Sequence, residues 1–275
     1  ISGRMLRLAT TFALARLCLC IGPGPSRLET GAASIVTWMA ALLSKVMPTV
    51  PIAAAWCDYA QGSRLSRGKI ALYLVLLALA VGGSYLAVQA TDEAGFLEGM
   101  QSQQVAPMPM RLMLATRYYL ENYIWPSRLA AWSPPPGDAS IGSPNLLAAI
   151  VEIMLLVTLA WVARKRLPVA YVGIVLFAIL LAPLLAAGAA RNFLAADRYM
   201  YLPIIGLHLA VAATAVAALD ELLLRFSRVR ADLLVGLPIV LALAAWMSYS
   251  WLLTSTWRSS VSRDSRVVQV HPDSE

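Results

Sequence analysis

Apolar residues in this chain come in blocks near 20 residues long, separated by short charged joints. At ~1.5 Å per residue, a helix of about 20 residues spans the ~30 Å hydrocarbon core of a bilayer. A run of such blocks leaves few other folds open. Composition agrees: 59% of the 275 residues are hydrophobic and 13% are charged. A soluble domain carries roughly 45–50% apolar and about 25% charged residues, so too little polar surface remains here to cover a soluble globule. The pattern excludes a soluble enzyme, a disordered chain and a disulfide-built secreted scaffold. It predicts an all-α fold, a polytopic transmembrane helical bundle.

The formal net charge of +7 invites a nucleic-acid reading. The basic residues, however, occupy the joints between apolar blocks, where the excess of Lys and Arg in cytoplasmic loops already explains them. Nucleic acid is therefore not an expected partner. The three cysteines, Cys18, Cys20 and Cys57, lie within or at the edge of apolar blocks. Cys18-x-Cys20 lacks zinc-knuckle spacing and has no histidine nearby, and the only two histidines are His208 and His271. No metal site is expected from these residues.

The first block covers residues 5–21 and is broken by Gly22-Pro23-Gly24-Pro25. The second, 32–59, is too long for a plain span and carries Ser44-Lys45 at its middle, with Pro48 and Pro51 following. A lysine at the bilayer centre costs at least ~2.5–3.5 kcal/mol. Two short helices, 32–44 and 48–59, meeting at Lys45 form the cheaper arrangement. The third block covers 69–90, and a polar stretch, 91–145, follows. Within it, 111–125 mixes apolar residues with Arg117, Glu121, three tyrosines and a tryptophan, a composition suited to a helix lying at the interface. Met108-Pro109-Met110 reads as loop. Further spans are expected at 145–163, 167–190, 199–219 and 232–257, for about seven to eight membrane segments in all.

Three basic clusters set the orientation: Arg64, Arg67 and Lys69; Arg164, Lys165 and Arg166; Arg225, Arg228 and Arg230. With the broken block crossing twice, all three fall on the cytoplasmic side. The polar stretch 91–145, the joint 191–201 and both chain ends then lie outside. Residues 1–257 form the membrane domain and 258–275 an extracytoplasmic tail. Short loops and an Ala/Leu/Arg-rich composition point to a bacterial inner membrane.

Several side chains stand out on chemistry. Lys45 at its turn is either a phosphate-facing cation or a lysine snorkelling to the surface. Glu152 lies inside a span, about 10 Å from its outer end at ~1.5 Å per residue. Carboxylates in lipid are paired or functional, so Glu152 pairs with Lys45 or Arg198, or is a protonated acid bonded to a neighbouring helix. His208, in an apolar run, reads as a packed, hydrogen-bonded residue. Tyr118, Tyr119, Tyr123 and Trp125 read first as an interfacial aromatic belt, and second as a sugar- or lipid-stacking surface.

Four stretches together carry a resemblance. They are Ala196-Asp197-Arg198-Tyr199-Met200-Tyr201-Leu202-Pro203-Ile204-Ile205-Gly206; Leu42-Leu43-Ser44-Lys45 with Pro51 and Asp58; Tyr118-Tyr119 with Trp125-Pro126-Ser127-Arg128-Leu129-Ala130; and Trp257-Arg258 through His271-Pro272-Asp273. In this order they resemble the multispanning glycosyltransferases of the GT-C superfamily that carry C-terminal tetratricopeptide repeats, the transmembrane O-mannosyltransferases among them. The resemblance implies transfer of a sugar from a polyprenyl- or dolichyl-phosphate donor to a protein or glycan acceptor on the outer face. No resident cofactor is implied. Such transfer requires a carboxylate to deprotonate the acceptor hydroxyl and cations to hold the departing phosphate.

The resemblance implies donor-phosphate binding by Lys45, Asp197, Arg198, Tyr199 and Tyr201, and a cavity that includes Tyr118 and Tyr119; Glu152 joins that expected cavity on its position inside a span, with no family motif matching it. A helix N-terminus at this motif would attract phosphate, with the planar guanidinium of Arg198 as a bidentate partner. Asp197 occupies an N-cap position, which closes the helix start or orients Arg198. The family's catalytic acid and its His-Pro…Glu motif would precede Ile1, and the repeats would follow Glu275. On that expectation the chain is an interior piece of a longer enzyme and inactive alone. Two other classes remain open: a transporter or flippase built around the broken helix at Lys45, and a non-catalytic scaffold presenting the repeats.

Overall fold

The computed structural model describes residues 49–60, 62, 66–93, 107–134, 142–189 and 194–270. Among them the architecture is helical, without a strand. The elements are α1 (Val50–Ala60), α2 (Arg67–Glu93), α3 (Met108–Ile124), α4 (Pro144–Arg166), α5 (Pro168–Ala189), α6 (Ile204–Leu223), α7 (Arg228–Thr254) and α8 (Ser260–Val270). Short 3-10 turns cover Asp197–Tyr201 and Ser255–Trp257. Four of the described helices are long and apolar enough to cross a membrane: α2, α4, α6 and α7. That is the signature of an integral membrane protein.

The expected spans and observed helices share their centres and differ at their ends. Helix α4 begins on Ser143, whose hydroxyl accepts from the Leu146 amide at 3.3 Å, with Pro144 in the first turn. It ends on Arg164, Lys165 and Arg166, whose charges suit the negative end of the helix dipole. Helix α5 runs through Pro183 to Ala189 without a break. Of the broken block 32–59, the described part is helix α1. Lys45, residues 32–48 and the first block lie outside the described residues.

Two local expectations are corrected, and one element is new. Met108-Pro109-Met110 is the first turn of α3 rather than loop, because Pro109 stands where a proline's missing N–H costs nothing. The membrane helix expected from residue 199 begins instead at Ile204. Pro203 disfavours helical backbone at Leu202, so the chain makes a 3-10 turn first. The tail beyond 257 contains α8, a polar amphipathic helix with Val267 buried.

The described residues fall into two compact units. The first contains α1, α2, the part of α5 from Leu176 and the segment Arg198–Pro203. Its buried residues include Val50, Ala53, Leu76, Ala80, Phe177, Leu180 and Leu181. Asp58, on α1, accepts from Lys69 Nζ at 2.8 Å and from Tyr73 Oη at 2.9 Å, both on α2. These bonds tie the two helices across the turn at Gly62, whose φ of 70° favours glycine.

The second unit contains α3, α4, the start of α5, the segment up to Asp197, and α6 to α8. Met110 and Leu114 of α3 pack on Leu146 and Ala149 of α4, with Leu194 against them. Helices α5 and α6 approach so closely that a Cβ on Gly173 would lie 2.5 Å from the Gly206 carbonyl oxygen and 2.8 Å from the Ala210 nitrogen. Without a hydrophobic driving force in lipid, small residues permit the backbone contact that holds such helices together.

Candidate functional site

The best-defined polar centre lies in the second unit, where α3 meets the chain leading into Asp197. Tyr118 and Tyr119 are adjacent on α3, and their rings meet edge-on at 5.6 Å and 80°. Both are buried, with relative exposures of 6% and 2%. A buried phenol needs a hydrogen-bond partner, and each finds one nearly eighty positions along the chain. Tyr118 Oη donates to Asp197 Oδ1 at 2.7 Å, with the Arg128 carbonyl a second acceptor at 3.1 Å. Tyr119 Oη donates to the Ala196 carbonyl at 3.2 Å and accepts from the Ala196 amide at 3.1 Å. The amide and the carbonyl of one residue are thus both held by one hydroxyl.

The approach to this clamp is fixed from a third direction. Ser133 donates its amide to the Ala195 carbonyl at 2.8 Å and accepts from the Leu194 amide at 2.7 Å, an isolated antiparallel bridge. The loop 125–128 is tied back to α3 by Asn122, whose side chain accepts from the Arg128 amide and donates to the Tyr118 carbonyl. Burial, and then the neighbouring Asp197 carboxylate, raise the Tyr118 phenol above the ordinary tyrosine range. Tyr118 therefore remains a neutral donor to Asp197.

These positions correct the sequence reading in two ways. Tyr118 and Tyr119 form no interfacial belt; a belt and a buried clamp use the same amphipathic residue type, and only the distant partner separates them. Asp197 does not cap the membrane helix, because that helix starts seven residues later at Ile204. Its carboxylate accepts from Tyr118 instead. Trp125, by contrast, is 69% exposed, as a belt residue would be.

Beyond Asp197 the chain passes into the first unit. There the Arg198 guanidinium lies 5.2 Å from the centroid of the Tyr199 ring, within cation–π range. Tyr199 is buried, whereas Tyr201 is 49% exposed. The 3-10 turn Asp197–Tyr201 is the element that carries all four motif residues.

Glu152 belongs to a separate cluster of the second unit. Its ionic partner among the described residues is Arg117 on α3, at 3.8 Å, rather than Arg198; the other expected cation, Lys45, lies outside the described residues. Arg117 donates through Nε and Nη2 to Glu121 Oε1 at 2.9 and 2.7 Å, and through Nη1 to the Asn145 carbonyl at 3.0 Å. Two carboxylates thus share one guanidinium, which joins α3 to the first turns of α4. Consecutive residues of α3 accordingly serve two neighbours: Arg117 reaches α4, and Tyr118 reaches Asp197. His208 rests its ring against Tyr123, with centroids 5.5 Å apart.

Arg117, Asn122 and Arg128 escaped the sequence reading as working residues. For Arg117 the signal was present, since an intramembrane carboxylate requires a cation and α3 carries one opposite it. Among the described residues, no three His, Cys, Asp or Glu side chains are grouped to hold a metal ion. No family model, curated protein or solved structure matches this chain.

Proposed function

We propose that this chain is the membrane-embedded part of a glycosyltransferase that moves a sugar from a polyprenyl-phosphate donor to a protein or glycan acceptor on the outer face. One observation carries the reading. Two stretches that independently resemble the family, Tyr118-Tyr119 with 125–130 and the Ala196–Gly206 motif, converge through the Tyr118–Asp197 and Tyr119–Ala196 hydrogen bonds.

In this reading the clamp fixes the backbone immediately before Arg198. The guanidinium then offers a planar donor fork to the phosphate of the donor, a geometry an ammonium cannot reproduce. The Tyr199 face supports that cation, and the exposed Tyr201 offers a hydroxyl and an apolar ring toward the polyprenyl chain. Lys45 supplies a second cation. The chain has seven to eight membrane segments in a bacterial inner membrane, with Glu275 outside.

The test is binding of a polyprenyl-phosphate hexose to the protein in lipid nanodiscs. The wild type is expected to bind it, and Arg198→Lys to fold normally and bind at least about tenfold more weakly, since losing one charge-assisted hydrogen bond costs ~1.5–3 kcal/mol. Equal affinity in the variant removes Arg198 from the site. Absence of binding by the folded wild type removes the reading itself.

A further inference from the structure

Helix α8 follows the last span and lies far along the chain from the Tyr118–Asp197 pair, yet hydrogen bonds to two successive carbonyls of the loop after α3 join them in the second unit. Val267 is buried, at 2% exposure, while Val261 and Val268 stand 74% and 59% exposed, so α8 has one face against the protein. Arg266 adjoins Val267. Its Nη2 donates to the Ser127 carbonyl at 3.2 Å and to Tyr249 Oη, on α7, at 3.0 Å. Tyr249 Oη donates to that same Ser127 carbonyl at 3.0 Å. Three segments, α7, α8 and the loop after α3, thus close on one carbonyl oxygen.

The next carbonyl in the chain is that of Arg128, which lies 3.1 Å from Tyr118 Oη. Tyr118 Oη in turn donates to Asp197 Oδ1 at 2.7 Å. Ser127 itself is in a tight turn, its amide donating to the Trp125 carbonyl at 2.8 Å, and the Arg128 amide is held by Asn122 Oδ1 at 3.2 Å. The Ser127 carbonyl and the Arg128 amide share one rigid peptide plane, which meets the plane of the Arg128 carbonyl at the Cα of Arg128. A hydrogen bond weakens steeply with angle and distance, so displacing the Ser127 carbonyl alters what the Tyr118 hydroxyl meets.

We propose that Arg266 is a positioning residue for the Tyr118–Asp197 pair, acting through the adjacent carbonyls of Ser127 and Arg128. It touches no ligand in this role. It sets the second acceptor of the Tyr118 hydroxyl, and thereby how much of that hydroxyl's proton is committed to Asp197. The assignment makes the segment after the last span a part of the site's framework, and it holds whatever the site binds. Arg263, on the same helix, pairs with its neighbour Asp264 at 2.9 Å and serves as the internal control.

The experiment places 3-fluorotyrosine at position 118 of the full chain in nanodiscs and reads its fluorine resonance. Arg266→Ala is expected to displace that resonance, and Tyr249→Phe, which removes a bond to the same carbonyl from a different helix, to displace it as well. Arg263→Ala is expected to leave it in place. An unmoved resonance in Arg266→Ala overturns the proposal, as does an equal displacement in Arg263→Ala, which would report loosening of α8 in general. Should Arg266→Ala fail to fold, Tyr249→Phe decides alone, an unmoved resonance again overturning the assignment.

Discussion

Helices α3 and α7, both in the second unit, invert the usual relation between hydrophobicity and burial. Helix α7 is the more apolar, yet its most hydrophobic window is 0% buried within the protein. Helix α3 carries Arg111, Arg117, Glu121 and Asn122, and buries Met110, Arg111, Leu114, Ala115, Tyr118 and Tyr119. The exposed apolar side chains of α7 suit a lipid surrounding, where exposure costs nothing. The buried ones of α3 are addressed to the protein, and polar bonds hold them there. In a membrane protein, apolarity marks what faces the acyl chains; polarity marks what the chain keeps for itself.

The largest test of that contrast is Tyr119→Ala. Deleting a buried aromatic ring costs about 3–5 kcal/mol, and here the Ala196 peptide also loses its partner. Reversible unfolding in mixed micelles should register the loss as a large drop in stability. A change below about 1 kcal/mol would show that α3 is not held as described.

Tyr118→Phe is subtler, because the ring stays and only the hydroxyl goes. A hydrogen bond to a carboxylate contributes about 1.5–3 kcal/mol, the expected loss at neutral pH. The variant should also change the alkaline limb. The folded-state phenol titrates above the ~10 of the unfolded chain, so its contribution is complete below pH ~10 and is lost as pH rises toward the folded value. Wild-type stability should therefore decline above pH ~10 more steeply than that of Tyr118→Phe. Parallel curves would mean that Tyr118 is not held neutral against Asp197.

Asp58→Asn carries the comparison into the first unit. The side chain of Lys69 is 45% exposed, so solvent screens its share of the ion pair, whereas Tyr73 is buried with its hydroxyl on Asp58. Asparagine can still accept one bond, and the expected cost is about 1 kcal/mol. At the other extreme, Trp251→Ala on α7 removes a residue that is 81% exposed. Its effect on unfolding in micelles should stay within about 0.5 kcal/mol. A loss as large as that of Tyr119→Ala would mean that α7 is covered by protein.

The same contrast explains what could be read from residue order. The long spans were legible because apolar runs and basic joints carry their own lengths and ends. Ser143 before Pro144 and the Arg164–Arg166 cluster bracket α4 without reference to anything distant. Tyr118 and Tyr119 were legible as residues and illegible as a clamp, since their partners at 196 and 197 are brought near only by the fold. Glu152 announced that it needed a cation, but several were in reach on paper, and α3 supplied Arg117. Helix α8 went unread because it is short and polar, and one buried valine leaves little period to detect. The helix start at Ile204 was displaced by the local stereochemistry of Pro203, which an apolar count ignores.

The approach of Gly173 to Gly206 and Ala210 has a consequence for how this protein can vary. A methyl group at 173 would meet backbone atoms of α6, and backbone cannot rotate aside as a side chain does. Substitution there must separate two membrane helices along their length, and in lipid no water-driven force returns them. Most lipid-facing positions of α7 can exchange one apolar residue for another with little penalty. Position 173 is different in kind: its permitted alphabet has one letter. Random mutagenesis with selection for folded protein should leave a sharp gap in tolerance at that residue.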